Sequence, residues 1–277
     1  DLFADILGCQ RNTPSAIMRA ELGCWSQSRE RDLCSLMFLR RVLAMPDSRL
    51  TKRVFVHLVH DMKKGYVSAW PSWCTVPALL RRYGLPAPRR LPPLATWKRS
   101  VREAIAAVDA TALDPASTKA AHYLSFRSTQ GMPQYLLHRQ SWFVTYGRSV
   151  KTRLRCATHV LEIDNGRRSD VRNRDDRICP CCPLDQVESE QHFALDCLLF
   201  SDIRLEFTDA VDELVSHADP FGWTRMSWNA RFKFLLGDAP PAGAPAPVQT
   251  QWRRIQIHFY WFLARAYKKR IAHARDF

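Results

Sequence analysis

The chain has 277 residues, 46% of them hydrophobic and 11% aromatic, a composition that excludes wholesale disorder and allows one large core or two smaller ones. Its formal net charge of +14 predicts an acidic partner, either nucleic acid or an anionic membrane surface. No apolar run approaches the roughly 20 residues needed to span a bilayer, so we expect no membrane partner.

Helical periodicity dominates the sequence from its first recognisable element. Thr13-Pro14 offers a hydroxyl at an N-cap followed by proline at the first helical position, so a helix is predicted from there to Gly23. Further segments place apolar residues at helical spacing: residues 28–44, 50–62, 97–108, 140–161 and 248–275. Strand signals are weak, so the predicted fold class is mainly α, with helical bundle units and one small metal module.

Two proline-rich segments divide these helices, because proline fixes φ and removes a backbone donor. We expect both of them to be surface linkers. The predicted organisation is a helical unit over 1–83, a linker over 84–95, an arginine-rich helical segment over 96–177, a metal-binding hook with its following helices over 178–237, a linker over 238–247 and a basic amphipathic helix over 248–277.

The C-terminal helix combines an apolar stripe with a basic remainder. The residues of the stripe are Trp252, Ile255, Phe259, Phe262, Leu263 and Ala266. We interpret the stripe as a core face. The arginines and lysines between Arg253 and Arg275 are either a solvated face or a track for phosphates, and the sequence leaves both open.

The nine cysteines indicate an intracellular protein. Their number is odd, and the opening residues 1–5 are neither a start methionine nor a basic signal peptide. We therefore interpret the chain as a fragment of a longer intracellular protein. Isolated cysteines among apolar neighbours are predicted to be buried, reduced thiols: Cys9, Cys24, Cys34, Cys74 and Cys156.

One short segment carries four soft metal ligands. Cys179 and Cys182 form a C-x2-C turn, and His192 and Cys197 follow as H-x4-C after nine intervening residues. This spacing predicts a structural zinc ion, because four thiolate or imidazole ligands fill a tetrahedral shell and leave no position open for catalysis. Cys181 offers a tighter pair with Cys179, but the C-x2-C pair is the better geometric match.

The H-x4-C arm is predicted to place His192 within a short helix capped by Ser189, with Cys197 just past its end. Its core-facing residues are predicted to be Phe193, Leu195 and Leu198. The alternative to a metal site is a set of reduced cysteines with His192 as a capping residue. His159 has no metal partner at suitable spacing, so we interpret it as a packing histidine.

An arginine-rich run precedes the hook. Residues 148–177 contain nine basic and five acidic residues, and arginine suits bidentate contact with phosphate better than lysine does. The candidate nucleic-acid contacts are Arg153, Arg155, Arg167, Arg168, Arg172, Arg174 and Arg177. The alternative is a solvated face with local Arg–Asp pairs. Just upstream, Trp142 and Tyr146 are candidates for stacking on unpaired bases, although core packing is the interpretation we favour for Trp142.

These residues resemble a known family. Residues 153–167, with Arg174 and Arg177 ahead of Cys179, are similar to the region upstream of the C-terminal CCHC zinc hook in non-LTR retrotransposon reverse transcriptases. Asp164 stands where that family usually has glutamate, which is a mild departure.

The resemblance continues on both sides of this region. After the hook histidine, the matching residues are Phe193, Leu195, Cys197, Leu198, Phe200 and Arg204. Less specific matches lie at residues 13–23 and 39–46, which resemble segments downstream of the polymerase core in such elements.

The resemblance implies a nucleic-acid-binding fragment of an RNA-directed DNA polymerase, which assists engagement of the RNA template or target DNA. The implied partners are RNA, DNA or both, with no small-molecule substrate, and the implied location is intracellular and nuclear when target DNA is engaged. Two alternatives stay open. One is a zinc-stapled protein–protein interaction module, and the other is a degenerate element fragment without activity.

No catalytic residue is predicted. A polymerase site needs carboxylates on a hairpin between apolar strands that bind two Mg²⁺ ions, whereas Asp175-Asp176 lies in a polar segment between arginines. The acidic residues from Asp202 to Glu213 have the spacing of a polar helix face and not that of a nuclease site. We therefore expect that this fragment is not an enzyme by itself.

Overall fold

The chain divides into two compact units in a computed structural model. Unit 1 comprises Asp1–Cys24 and Asp114–Phe277, and unit 2 comprises Trp25–Leu113. The structure describes residues 2–63, 71–86, 92–110, 113–128, 131–137, 141–166 and 173–274, with side chains undescribed at 61–63, 71–75 and 109–110. This division differs from the predicted helical unit over 1–83, because the first 24 residues belong with the C-terminal part of the chain.

The described elements are almost entirely helical. Unit 1 begins with α1 (Leu2–Leu7) and α2 (Ser15–Leu22). Unit 2 consists of α3 (Gln27–Leu43), α4 (Leu50–Lys63), α5 (Pro71–Arg82) and α6 (Leu94–Ala110). Unit 1 then continues with α7 (Thr118–Leu124), α8 (Trp142–Arg155), α9 (Glu162–Asn165), α10 (Ser201–Val215), α11 (Trp228–Leu236) and α12 (Ala246–His273).

The predicted mainly α fold class is confirmed. Within the described ranges there is no β-strand, and the only extended pairing is an isolated antiparallel bridge between Ile178 and Val187. No helix in this part of the chain is both long and apolar enough to cross a membrane. The first predicted linker lies partly outside the described residues, and α6 already begins at Leu94 within it. The second is predicted to reach residue 247, but α12 begins within it at Ala246, and the linker's first residue, Asp238, is buried and not on the surface.

Local sequence sets the ends of the helices. α2 ends at Leu22 and is capped by Gly23, whose φ of 64° places it in the left-handed region that glycine tolerates. At its start the N-cap is Pro14 and not the predicted Thr13, whose hydroxyl donates to the carbonyl of Gln10 instead. α8 ends at Arg155, six residues before the predicted end at Leu161. The reason is Ala157, which has a φ of 49° and turns the chain out of the helix.

Unit 2 has its own small core between α3, α5 and α6. Leu36, Val101 and Ile105 are fully buried there. The indole Nε1 of Trp97 donates a hydrogen bond of 3.1 Å to the carbonyl of Leu36. The apolar stripe predicted over 97–108 is therefore confirmed as a packing face.

α12 is the central helix of unit 1. It packs against α8 and α10, and every residue of the apolar stripe predicted for it is buried. Aromatic side chains from the surrounding elements, among them Phe193, Phe207 and Trp223, complete the same core. The interpretation of the stripe as a core face is therefore correct.

Glu21 of α2 links the N-terminal part of unit 1 to its C-terminal part. Its carboxylate accepts hydrogen bonds from Nε and Nη2 of Arg155, at 2.7 and 3.0 Å, and from the hydroxyls of Tyr123 and Tyr135. All four side chains are fully buried. Burial by itself would raise the pKa of Glu21, but the charge of Arg155 and these hydrogen bonds outweigh it and lower that pKa below its ordinary value.

α8 and α12 approach each other closely at Gly147. A Cβ atom added to Gly147 would lie 2.0 Å from the carbonyl oxygen of Tyr260, which belongs to the backbone of α12. Only a residue without a side chain allows this approach, so Gly147 fixes the distance between the two helices.

We expect Gly147→Ala to destabilise unit 1 by about 1–3 kcal/mol, the range for forcing atoms into a well-packed contact. At an exposed helical position, replacing glycine by alanine would instead stabilise the protein by about 1 kcal/mol through helix propensity. The sign of the change in unfolding free energy therefore distinguishes the two situations. Urea denaturation measures the effect, with Thr145→Ala as the control, because Thr145 is an exposed residue of the same helix. A stability gain at Gly147 would contradict the close approach.

Candidate metal centre and basic surface

The hook is built on a small reverse turn. The backbone N–H of Cys179 donates to the carbonyl of Gln186 at 2.8 Å, and the N–H of Glu188 donates to the carbonyl of Arg177 at 2.9 Å. These two hydrogen bonds flank the Ile178–Val187 bridge and close the loop that carries Cys179 and Cys182.

His192 and Cys197 come from the opposite side of the site. A single π-helical turn spans His192–Asp196, and Cys197 follows it directly. The predicted cap is present, because the hydroxyl of Ser189 accepts a hydrogen bond of 3.1 Å from the N–H of His192. The π-helical turn therefore brings the thiol of Cys197 to the same side of the site as the imidazole of His192.

The four predicted ligands converge on one point. The ligand atoms of Cys179, Cys182, His192 and Cys197 all lie within 4.8 Å of one another, so this group can hold a metal ion. The sulfurs of Cys179 and Cys197 are 3.8 Å apart, and Sγ of Cys182 lies 3.4 Å from Nε2 of His192. The fold therefore brings together all four side chains that the spacing singled out.

Neighbouring groups orient these ligands. Nδ1 of His192 donates to Oε1 of Gln186 at 3.0 Å, which leaves Nε2 facing the cysteines. The backbone N–H of Cys181 donates to Sγ of Cys179 at 3.4 Å, the kind of bond that favours a thiolate. Both contacts prepare the site for a cation, and Gln186 carries no signal in the sequence that could have identified it.

The sulfurs of the site differ in their acidity. The pKa of Cys179 lies far below its ordinary value, because hydrogen bonds from the thiols of Cys181 and Cys197 favour its thiolate more than burial disfavours it. The same hydrogen bond to Cys179, together with burial, raises the pKa of Cys197. The lowered pKa of Cys179 favours its thiolate, which is the form of cysteine that binds a metal cation.

Cys181 belongs to a second possible metal-binding group, which it forms with Cys179 and Glu188. The carboxylate of Glu188 is already engaged by Arg270, whose Nη2 donates to it at 2.9 Å and whose Nε donates at 2.5 Å. Sγ of Cys181 is 4.0 Å from this carboxylate. The more complete tetrahedral set is the one with Cys182, and Cys181 contributes its amide.

The elements behind the hook are anchored in the core. Phe193 and Leu195 are buried as predicted. Leu198 is 49% exposed, so its predicted place in the core is wrong; the chain leaves the π-helical turn at Cys197 and re-enters a short 3-10 turn at Leu198. Arg204 donates to the carbonyl of Cys197 at 2.7 Å and so secures the last ligand.

Two of the arginines proposed as phosphate contacts are buried, and for them the prediction is wrong. Arg155 is fully buried in its ion pair with Glu21. Arg177 is 8% exposed, and its Nη1 donates to the carbonyl of Ile163 at 2.8 Å. A Cβ at Gly166 would lie 2.6 Å from the stem of Arg177, so that glycine provides the space for it.

The other arginines of the run have different surroundings. Arg153 is half-buried, donates to the carbonyl of Gly8 and lies with its guanidinium 5.9 Å from the ring centroid of Tyr267. Arg174 is exposed. The remaining candidates, Arg167, Arg168 and Arg172, lie outside the described residues.

Several other side chains depart from their predicted positions. Trp142 is 70% exposed, so the interpretation as a core residue is wrong. Cys24 and Cys34 are exposed thiols, whereas Cys156 is buried as predicted and Cys9 is partly buried. The side chain of Cys74 lies outside the described residues.

His159 is buried in a polar contact of its own. Its Nε2 lies 2.8 Å from a carboxylate oxygen of Glu190. Burial disfavours the charged form of that carboxylate, but the hydrogen bond and charge of His159 outweigh it and hold the pKa of Glu190 at about 2. His159 is a packing residue and lies outside the metal-ligand group, as the sequence indicated.

Comparison of the chain with protein-family models, with curated proteins and with solved structures gives no match. What the protein does must therefore be inferred from its own residues and their geometry.

Proposed function

We propose that this chain is a nucleic-acid-binding part of a retroelement RNA-directed DNA polymerase, in which a structural zinc ion secures the fold beside a basic surface. The observation that carries the proposal is the association of a four-ligand cysteine–histidine centre with cations on the solvent face of α12. The residues that resemble the CCHC region of non-LTR reverse transcriptases supply the fold of this centre, including Arg204 and Gly166.

Zinc is the metal that this ligand set favours. Zinc–sulfur bonds of about 2.3 Å and zinc–nitrogen bonds of about 2.0–2.1 Å imply tetrahedral edges of about 3.5–3.8 Å between ligand atoms. The sulfur–sulfur and sulfur–nitrogen distances of 3.8 and 3.4 Å agree with that spacing. Since the four ligands complete the shell, the metal's role is to hold the two arms of the hook together, and no catalytic step is assigned to it.

Cations line the outer face of the helix that forms the core. Arg253, Arg254, Arg265 and Lys268 are all exposed on α12. Arg265 pairs with Glu206, and Lys269, one turn further along α12, pairs with Asp202; the two carboxylates are mostly exposed and the two basic side chains partly so. Such pairs contribute little and exchange readily with a phosphate. The net charge of +14 gives the chain an overall attraction to a polyanion.

The test is equilibrium binding of the zinc-loaded chain to structured RNA, single-stranded DNA and duplex DNA over a salt series. We expect submicromolar binding at low salt that weakens steeply, because each phosphate contact contributes about 0.7 to 0.9 to the slope of log K against log salt. The ranking of the three ligands identifies the partner.

Matched charge reversals locate the surface. Arg254→Glu with Lys268→Glu should weaken binding and reduce the salt slope, since both residues lie on the exposed face of α12. Arg225→Glu with Lys233→Glu makes the same change in net charge at exposed positions outside α12 and serves as the control. Weak binding without salt dependence to all three ligands would contradict the proposal and favour a protein–protein interaction module.

A further inference from the structure

A cluster of four aromatic side chains, two of them exposed and two half-buried, lies where α8 passes α12. Trp142, Phe143 and Tyr146 come from the first turns of α8, and Trp261 comes from the solvent face of α12. Trp142 is 70% and Trp261 44% exposed. We refer to these four residues as the aromatic platform. Large apolar side chains exposed together indicate a binding surface, since an isolated one would be unremarkable.

The rings of the aromatic platform are held in fixed orientations. Trp142 and Tyr146, one helical turn apart, are stacked with an interplanar angle of 12° and a centroid distance of 6.2 Å. Phe143 stacks on Trp261 at 4.4 Å and 29°, which joins the two helices at the surface. Because both helices are rooted in the core of unit 1, the rings lose little conformational freedom when a ligand binds.

A cation sits beside these rings. Nζ of Lys268 lies 4.8 Å from the centroid of Trp142, 5.1 Å from that of Phe143 and 5.6 Å from that of Tyr146. The side chain of Lys268 is exposed, so it is available to an anion that approaches the rings. Cation–π contact holds the ammonium group at the platform and does not neutralise it.

This combination selects one class of ligand. A flat π-face is required opposite the rings, and a negative charge is required opposite Lys268. A single strand of nucleic acid offers both, because its bases are free to stack while its phosphates follow at the rim. A duplex keeps its base faces stacked on each other and presents only phosphates and groove edges. An apolar protein segment would satisfy the rings and leave the lysine without a counter-charge.

We propose that the aromatic platform stacks unpaired bases of a nucleic acid strand, with Lys268 contacting the adjacent phosphate. This inference rests on the proposed function and deepens it, since it names unpaired nucleic acid as the ligand and Trp142 and Trp261 as the principal stacking residues. The exposed arginines of α12, Arg253, Arg254 and Arg265, then form a separate contact that a duplex can also use.

The experiment compares Trp142→Ala with two other variants of the full, zinc-loaded chain. Trp228→Ala is the matched control, because Trp228 is 52% exposed and lies under the guanidinium of Arg231 on α11, outside the platform. Trp142→Tyr keeps a stacking ring. Each variant is titrated with a 20-nucleotide single strand and with a duplex of the same sequence, and circular dichroism verifies the fold.

We expect Trp142→Ala to weaken single-strand binding about 5- to 150-fold, the equivalent of one base–aromatic stack. Duplex binding should change less than about twofold. Trp142→Tyr should recover most of the loss, and Trp228→Ala should bind both ligands as the wild type does. Quenching of tryptophan fluorescence by the single strand should also diminish in Trp142→Ala but not in Trp228→Ala.

Other outcomes separate this inference from the proposed function. If the wild type binds nucleic acid and Trp142→Ala behaves like Trp228→Ala, the stacking role is wrong while the proposed function stands. Equal weakening of single-strand and duplex binding would also overturn the preference for unpaired bases. If the wild type binds neither ligand, both proposals fail.

Discussion

Cys197→Ser is expected to release the metal and unfold the segment around residues 179–200. Structural zinc contributes apparent binding energies of about 10–16 kcal/mol in small zinc domains, and Cys197 is a fully buried member of the four-ligand group. Loss of its sulfur removes a ligand and also the partner that lies 3.8 Å from Cys179. Metal content by mass spectrometry and hydrogen exchange over this segment measure the two effects.

The control for this experiment is Cys181→Ser. Cys181 donates its backbone N–H to Cys179, an interaction that serine retains, and a serine hydroxyl can replace the hydrogen bond that its thiol gives to the same sulfur. The thiol of Cys181 lies outside the four-ligand group. We therefore expect one equivalent of zinc in this variant. If Cys197→Ser kept its metal, or if Cys181→Ser lost it, the ligand assignment would be wrong and the grouping with Glu188 would have to be reconsidered.

Glu21→Gln is expected to destabilise unit 1 by about 3–5 kcal/mol. Removing one partner of a buried ion pair leaves the other charge without compensation, and here the remaining charge is the fully buried guanidinium of Arg155. Urea denaturation gives the loss, and hydrogen exchange of α8 assigns it to unit 1. Glu213→Gln, at an exposed position of α10, removes a carboxylate of the same kind and should change stability little.

The same ion pair makes stability depend on pH. Because the pKa of Glu21 is lower in the folded protein than its ordinary value of 4.5, its stabilising contribution is present above that value. It is lost as the pH falls from there toward the folded-state pKa, where the carboxylate becomes protonated. The wild type should thus lose stability below about pH 4.5 more steeply than Glu21→Gln. Parallel pH profiles would contradict the role of this pair.

Helices and metal ligands could be predicted because their signals are local. The start and end of α2 depend on Pro14 and Gly23, and the ligand set depends on two short spacings between cysteines and His192. Each of these features lies within one or two turns of chain. The apolar stripe of α12 is equally local, since helical geometry alone decides which residues share a face.

The burial and the ion-pair partners of individual charged side chains could not be predicted from local sequence. Arg155 stands in a run of arginines that suggests phosphate binding, yet its partner Glu21 is 134 positions away in the sequence. Arg270 similarly pairs with Glu188, 82 positions away. Only the fold brings such residues together, and composition gives no sign of it. Trp142 is predicted to lie in the core because it is aromatic, yet it is 70% exposed and stacks on Tyr146 at the surface. Hydrophobicity alone could not distinguish these two positions.

The position of α12 has a consequence for how the protein is made. Ribosomes add about 5–20 residues per second, and the core of unit 1 cannot close until the helix at its centre, Ala246–His273, has emerged. Residues 25–113 have all the partners of their own small core much earlier. Before α12 has emerged, the aromatic rings that pack against it, such as those of Phe193 and Phe207, lack this packing partner and are exposed to solvent. A nascent chain that stops short of α12 should therefore be a substrate for chaperones, whereas unit 2 can already be folded on the ribosome.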